Sequence, residues 1–159
     1  MDVLVTMLMS KRLTIGSVES MTGGLFASEL ASVPGVSKTF KGSLVTYTKK
    51  TKEKLLGIPE KLIEEKGIVS SEVAYQMAKR GQTILSTDIC VSITGNAGPT
   101  SEPGQEGVGV CYIGIAYKDG VRVYRKVFEG SRNEIRNKAV LSMKDLAIEV
   151  MKEKYFNEN

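Results

Sequence analysis

Histidine is absent from this 159-residue chain. With it go every histidine-dependent catalytic triad and most zinc sites. Only four aspartates occur, Asp2, Asp88, Asp119 and Asp145, scattered with no metal-like spacing. Cysteine is scarcer still. Cys90 and Cys111 each lie inside an apolar run, make no disulfide framework and point to a reducing cytoplasm. No apolar run reaches the length of a membrane span, and the N-terminus carries Asp2 without a basic n-region or a small-residue cleavage site. No P-loop or G-x-G-x-x-G opens a helix after a strand, and there is no repeat, low-complexity tract or linker. An enzyme of this composition must work with Ser, Thr, Tyr, Lys, Arg, Glu or Cys. A serine nucleophile among them needs a base, and without histidine the usual substitute is a lysine kept neutral.

What is present describes one globular domain, residues 1–159, with 42% hydrophobic and 25% charged residues, long enough to bury a core. The net charge is +4, and the densest basic cluster is "KKTKEK" at 49–54. It reads either as a patch for a small phosphorylated ligand or as a solvated helix face. No aromatics interleave with it, so nucleic acid is not an expected partner.

The periodicity predicts a helix over 3–10 with Asp2 as its N-cap, then a strand over Leu13–Val18. A helix follows from Thr22, with Phe26, Leu30 and Val33 on one face, ending at Pro34-Gly35. Residues 39–48 are strand formers; helices follow over 49–56 and 59–66. Ser70 caps a longer helix whose face is Val73, Ala74, Met77, Ala78, Ile84 and Leu85. The run at 88–95 reads as a central strand covered on both faces. Residues 95–107 form a loop, and two strands flank a hairpin turn at Asp119-Gly120. Ser131 and Glu134 form a capping box for the last helix, with Ile135, Ala139, Met143, Leu146, Ala147 and Val150 inside. The fold class this predicts is a single three-layer α/β/α domain with a mixed sheet.

Two places carry chemistry. In "SVESMTGGLFASEL", residues 17–30, a strand delivers Glu19 and Ser20 to a turn with Thr22, Gly23 and Gly24. This is either a tight turn with Thr22 as a helix cap, or a turn presenting a nucleophile beside bare amides. Arg132 sits in the first turn of the last helix, where the dipole disfavours a cation by about 0.3–1 kcal/mol, and Arg136 lies one turn on. The pair suits bidentate anion binding or pairs with surface acids such as Glu129. Cys90 and Cys111 are rival nucleophiles, although apolar strands usually bury inert thiols.

Five blocks in order, "ESMTGG" (19–24), "VTYTKKTKEKLLGI" (45–58), "GIVS" (67–70), "SITGNAGP" (92–99) and "GSRNEIR" (130–136), resemble the CinA C-terminal family, also called PncC. The resemblance runs from about residue 5 to about 150. It implies a nicotinamide-nucleotide amidohydrolase that converts nicotinamide mononucleotide to nicotinate mononucleotide and ammonia, without metal or organic cofactor, as a homodimer in the cytoplasm. By the same resemblance Ser20 is the nucleophile and Lys52 the base, with Tyr47 beside it. Lys49, Lys50 and Lys54 would help keep Lys52 neutral through like charge. Substrate-binding positions implied are Thr22, Gly23, Gly24, Thr46, Gly95, Arg132 and Arg136. The chain departs from the family pattern at Met21, often cysteine, at Lys49–Thr51, and in "TSEPGQEGVGV", where Val110 replaces a threonine. Lacking the extra N-terminal domain of larger members, it reads as a stand-alone form. The alternative reading is a non-catalytic nucleotide-binding or competence-related regulatory protein of the same fold.

Overall fold

A computed structural model describes residues 1–157; the last two residues of the expected 1–159 domain lie outside it. The elements run α1 (Asp2–Lys11), β1 (Ile15–Glu19), α2 (Leu25–Ala31), β2 (Phe40–Val45), α3 (Lys49–Leu56), α4 (Glu60–Lys66), α5 (Ser71–Leu85), β3 (Ile89–Gly95), β4 (Val110–Tyr117), β5 (Gly120–Val127) and α6 (Arg132–Met151). The five strands form one mixed sheet in the order β2-β1-β3-β4-β5. β1 pairs parallel with both β2 and β3, while β4 and β5 return antiparallel.

Pleating sorts the strand side chains between two cores. Ile15 of β1, Ile89, Val91 and Ile93 of β3 and Ile113 and Ile115 of β4 face α1, α2 and α6. Val18, Cys90 and Ala116 face the opposite core, built with Leu56 of α3, Ile63 of α4 and Met77 and Ala78 of α5. Three layers result, with β3 buried along its length. Gly81 lets α5 lie close on the sheet: a methyl there would overlap Val18 and press on the Cys90 sulfur.

Some local expectations shift. Asp2 lies in the first turn of α1, and Met1 holds the cap position without a side-chain bond. On α5 the apolar face continues through Gly81, leaving Ile84 48% exposed. The β4–β5 hairpin pairs Tyr117 with Gly120, so its turn residues are Lys118 and Asp119, one position earlier than the Asp-Gly signal implies. The capping box at Ser131 and Glu134 is present, and α3 has a second one between Thr48 and Thr51. No helix among the described residues is long and apolar enough to cross a membrane.

Candidate active site

β1 and β3 run parallel side by side, so both deliver their carboxyl ends to the same edge of the sheet, where crevices open in α/β folds. Ser20 follows β1 directly, and its amide donates to Ile93 O of β3 at 3.2 Å. Lys52 lies on α3, which follows β2 and packs in the core shared with α4 and α5. It is fully buried, and its Nζ lies 2.9 Å from Ser20 Oγ. A second bond ties Nζ to the Thr46 carbonyl. The Ser20 hydroxyl also reaches the Tyr47 carbonyl, at 3.5 Å. A neutral amine can donate to Thr46 O and present its lone pair to Ser20.

Burial pulls Lys52 down from 10.5 to about 8. That cause differs from the expected one. Lys50 and Lys54 point to solvent. Lys49 donates to Glu64 at 3.0 Å and Glu60 at 3.3 Å, and the Glu64 bond leads in raising its own pKa. Desolvation, rather than like charge, is what lowers Lys52. The two thiols are unsuited to compete, since burial pushes both up to about 12.

The turn differs in detail from its sequence reading. Thr22 does not cap α2. Gly24 does, at φ +99°, with no side-chain bond, because two successive positive-φ glycines delay the helix to Leu25. The hydroxyl of Thr22 donates instead to Glu19 Oε1 at 2.7 Å. Glu19 is completely buried, and its carboxylate accepts the amides of Phe26 and Ala27, both at 3.0 Å, and the Ser17 hydroxyl at 3.1 Å. The sequence placed Glu19 at the turn without a task. Its position as the last inward residue of β1, facing the start of α2, was the signal.

A cavity of about 480 Å³ opens beside Ser20, bounded by Met21, Tyr47, Thr94, Gly95, the 96–106 loop and Arg132. Arg132 spans its mouth, donating from one nitrogen to Gly98 O and from another to the Tyr47 hydroxyl at 2.8 Å. It does not pair with Glu129, whose carbonyl is taken by Lys138. Tyr47 therefore serves Ser20 through its backbone and Arg132 through its side chain, and its hydroxyl bonds neither Ser20 nor Lys52 among the described residues. Gly95 admits no larger side chain, since a methyl there would sit 2.6 Å from both Cys111 Sγ and Met21 Sδ. Thr46 offers its carbonyl to Lys52, while its buried hydroxyl has no partner among the described residues. Arg136 is turned away from the cavity: its nitrogens donate to Met21 O at 3.0 Å, Thr22 O at 2.9 Å and Asn133 Oδ1 at 2.9 Å. Of the two arginines expected to bind substrate, Arg132 lines the cavity and Arg136 bonds the backbone of the Ser20 turn. Asn96 and Glu106 were missed. Asn96 Oδ1 accepts from Gly98 N in an Asx turn, a motif readable in "NAG", and Glu106 accepts from the Tyr112 hydroxyl. No His/Cys/Asp/Glu group among the described residues could hold a metal.

The family model of the CinA C-terminal domain matches residues 1–151. The chain belongs to that family. A CinA-like protein of Dictyoglomus turgidum is 41% identical over 146 residues, covering 91% of this chain and 35% of its own length. A protein of Listeria monocytogenes strain EGD-e, named for competence-damage induction, is 41% identical over 140 residues, covering 87% of this chain and 34% of its own. The chain thus spans about a third of the length of the curated relatives it matches. Among solved structures, competence/damage inducible protein CihA of Agrobacterium tumefaciens is 28% identical with a TM-score of 0.88, over 92% of this chain and 90% of that one. A CinA superfamily protein of Klebsiella pneumoniae reaches a TM-score of 0.92 at 20% identity, over 94% of each chain, a likeness of fold. The three-layer CinA fold is the one expected.

Proposed function

We propose that this CinA domain is an amidohydrolase that deamidates nicotinamide mononucleotide, with Ser20 as nucleophile and Lys52 as general base. The observation that carries the reading is the 2.9 Å contact from a buried, partnerless-in-charge lysine to a serine hydroxyl, in a chain with no histidine. Neutral Lys52 takes the Ser20 proton as Oγ bonds to the carboxamide carbon. The tetrahedral oxyanion collapses, the C–N bond breaks, and the Lys52 ammonium returns the proton to the leaving nitrogen as ammonia. Water, deprotonated by the same lysine, then cleaves the acyl ester. The products are nicotinate mononucleotide and free Ser20.

The substrate class draws on the family resemblance and on the cavity, whose volume suits a mononucleotide. Arg132 at the mouth keeps N–H groups for a phosphate. The test is ammonia release from nicotinamide mononucleotide by the purified protein, with Ser20→Ala abolishing it. Intact activity in Ser20→Ala would remove the serine from the mechanism. Arg132→Ala should raise KM by about ten- to a hundredfold while sparing kcat, and should cost little with nicotinamide riboside, which has no phosphate. Nucleotide binding without turnover in the wild type would favour a regulatory role for the same fold.

A further inference from the structure

We propose that Arg136 is a positioning residue that sets the oxyanion-binding face of the Ser20 turn, rather than a ligand for the substrate's phosphate. The proposal rests on the serine chemistry above and concerns how the turn is held ready for it.

Arg136 grips two successive carbonyls, Met21 O and Thr22 O, with separate nitrogens. In a trans peptide the N–H points opposite to the C=O. Drawing Met21 O toward α6 therefore aims the Thr22 N–H the other way. Inside the turn, Ser20 O accepts the Gly23 amide at 3.0 Å, which likewise turns the Met21 N–H outward. Neither the Met21 nor the Thr22 amide donates a bond among the described residues, and Met21 lies on the cavity wall next to Ser20.

The amides of the first helical turn are already spent. Glu19 holds the amides of Phe26 and Ala27 at the start of α2, and the Leu25 amide donates to Thr22 O at 3.1 Å, so the first turn of that helix is occupied and the open amides of the turn are those of Met21, Thr22 and the N-cap Gly24. The turn is thus fixed from two sides, by a buried carboxylate on its donors and a guanidinium on its acceptors. Such a grip is needed because Gly23 and Gly24, at φ +61° and +99°, leave this backbone intrinsically loose. Preorganised amides aimed at developing charge are worth about 10²–10³ in rate. Arg132, one turn earlier on α6, is the arginine that faces the cavity.

The test uses the intact chain and two readouts. The first is labelling of Ser20 by a fluorophosphonate, in which Oγ bonds to phosphorus, fluoride leaves and Lys52 takes the proton; it needs no assumption about the natural substrate. The second is kcat and KM on nicotinamide mononucleotide and nicotinamide riboside. Arg136→Ala should slow labelling and kcat by about a hundredfold, leave KM within about twofold, and affect both substrates equally. The pH midpoint of the rate should stay in place, because Lys52 is untouched. Millimolar guanidinium should restore part of the rate, and Arg136→Lys, reaching one carbonyl, should fall between wild type and Ala. Labelling at the wild-type rate in Arg136→Ala, or a KM rise confined to the phosphorylated substrate, overturns the proposal. If Arg136→Ala does not fold, an Arg136→Lys protein that labels at full speed overturns it equally. A wild type that labels at Ser20 but releases no ammonia defeats the substrate assignment alone, and labelling then decides the role of Arg136.

Discussion

Two lysines on α3, three residues apart, have been given opposite characters by their surroundings. Lys49 stands at the surface with Glu60 and Glu64 against its ammonium, and its pKa is raised. Lys52 is fully buried, meets a hydroxyl and a carbonyl but no carboxylate among the described residues, and falls to about 8. The difference teaches that a basic cluster in the sequence does not make a base. A lysine becomes one where the fold removes water and withholds a counter-charge.

The comparison breaks most visibly at Lys52. Arginine there keeps its proton at any workable pH, so Lys52→Arg should lose about a thousandfold or more in kcat/KM, nearly as much as Lys52→Ala; a rate within tenfold of wild type would reduce the residue to an electrostatic role.

A smaller effect appears in stability. Between about pH 8 and 10.5 the unfolded chain still holds the Lys52 proton that the folded chain has released. The unfolded state binds more protons in that window, so stability rises with pH there; below it both states are protonated and the folded one bears the whole cost of the buried charge. At 1.36 kcal/mol per pKa unit the gain is about 3 kcal/mol. Denaturant titrations of wild type against Lys52→Met should show it as a pH-dependent difference, and parallel curves for the two proteins would mean that Lys52 is solvated in solution.

Under the proposed chemistry the same titration governs the rate. Activity should climb about tenfold per pH unit below pH 8 and level off above, and a profile flat from pH 6 to 9 would exclude Lys52 as the titrating base. Smallest of all, Lys49→Ala should change the rate by less than about twofold and leave the pH midpoint where it is, since an exposed ion pair is weak and screened. A shifted midpoint in that variant would restore like-charge repulsion as a cause.

How much of this was readable beforehand depends on how local each determinant is. The continuous apolar run of β3 and the Ser131–Glu134 capping box declare themselves within a few residues, and both stand where expected. Lys52 also left a trace: it lies four residues before buried Leu56, on the apolar stripe of an otherwise charged helix. Thr22 misled because a hydroxyl ahead of a helix usually caps it, whereas here a buried carboxylate took the amides first. The tasks of Arg132 and Arg136 depend on partners 34 to 115 positions away, which no spacing rule within α6 encodes.

The seating of Ser20 has a consequence for how the protein comes to life. The backbone of Ile93, the amine of Lys52 and, through the turn, the guanidinium of Arg136 all converge on it. A chain leaving the ribosome carries Ser20 early, as an ordinary alcohol with the reactivity of any surface serine. Only after residue 136 has emerged and α6 has docked are all its partners assembled, so a Ser20 nucleophile of the kind proposed is armed by the completion of folding and disarmed by the first loosening of that final helix.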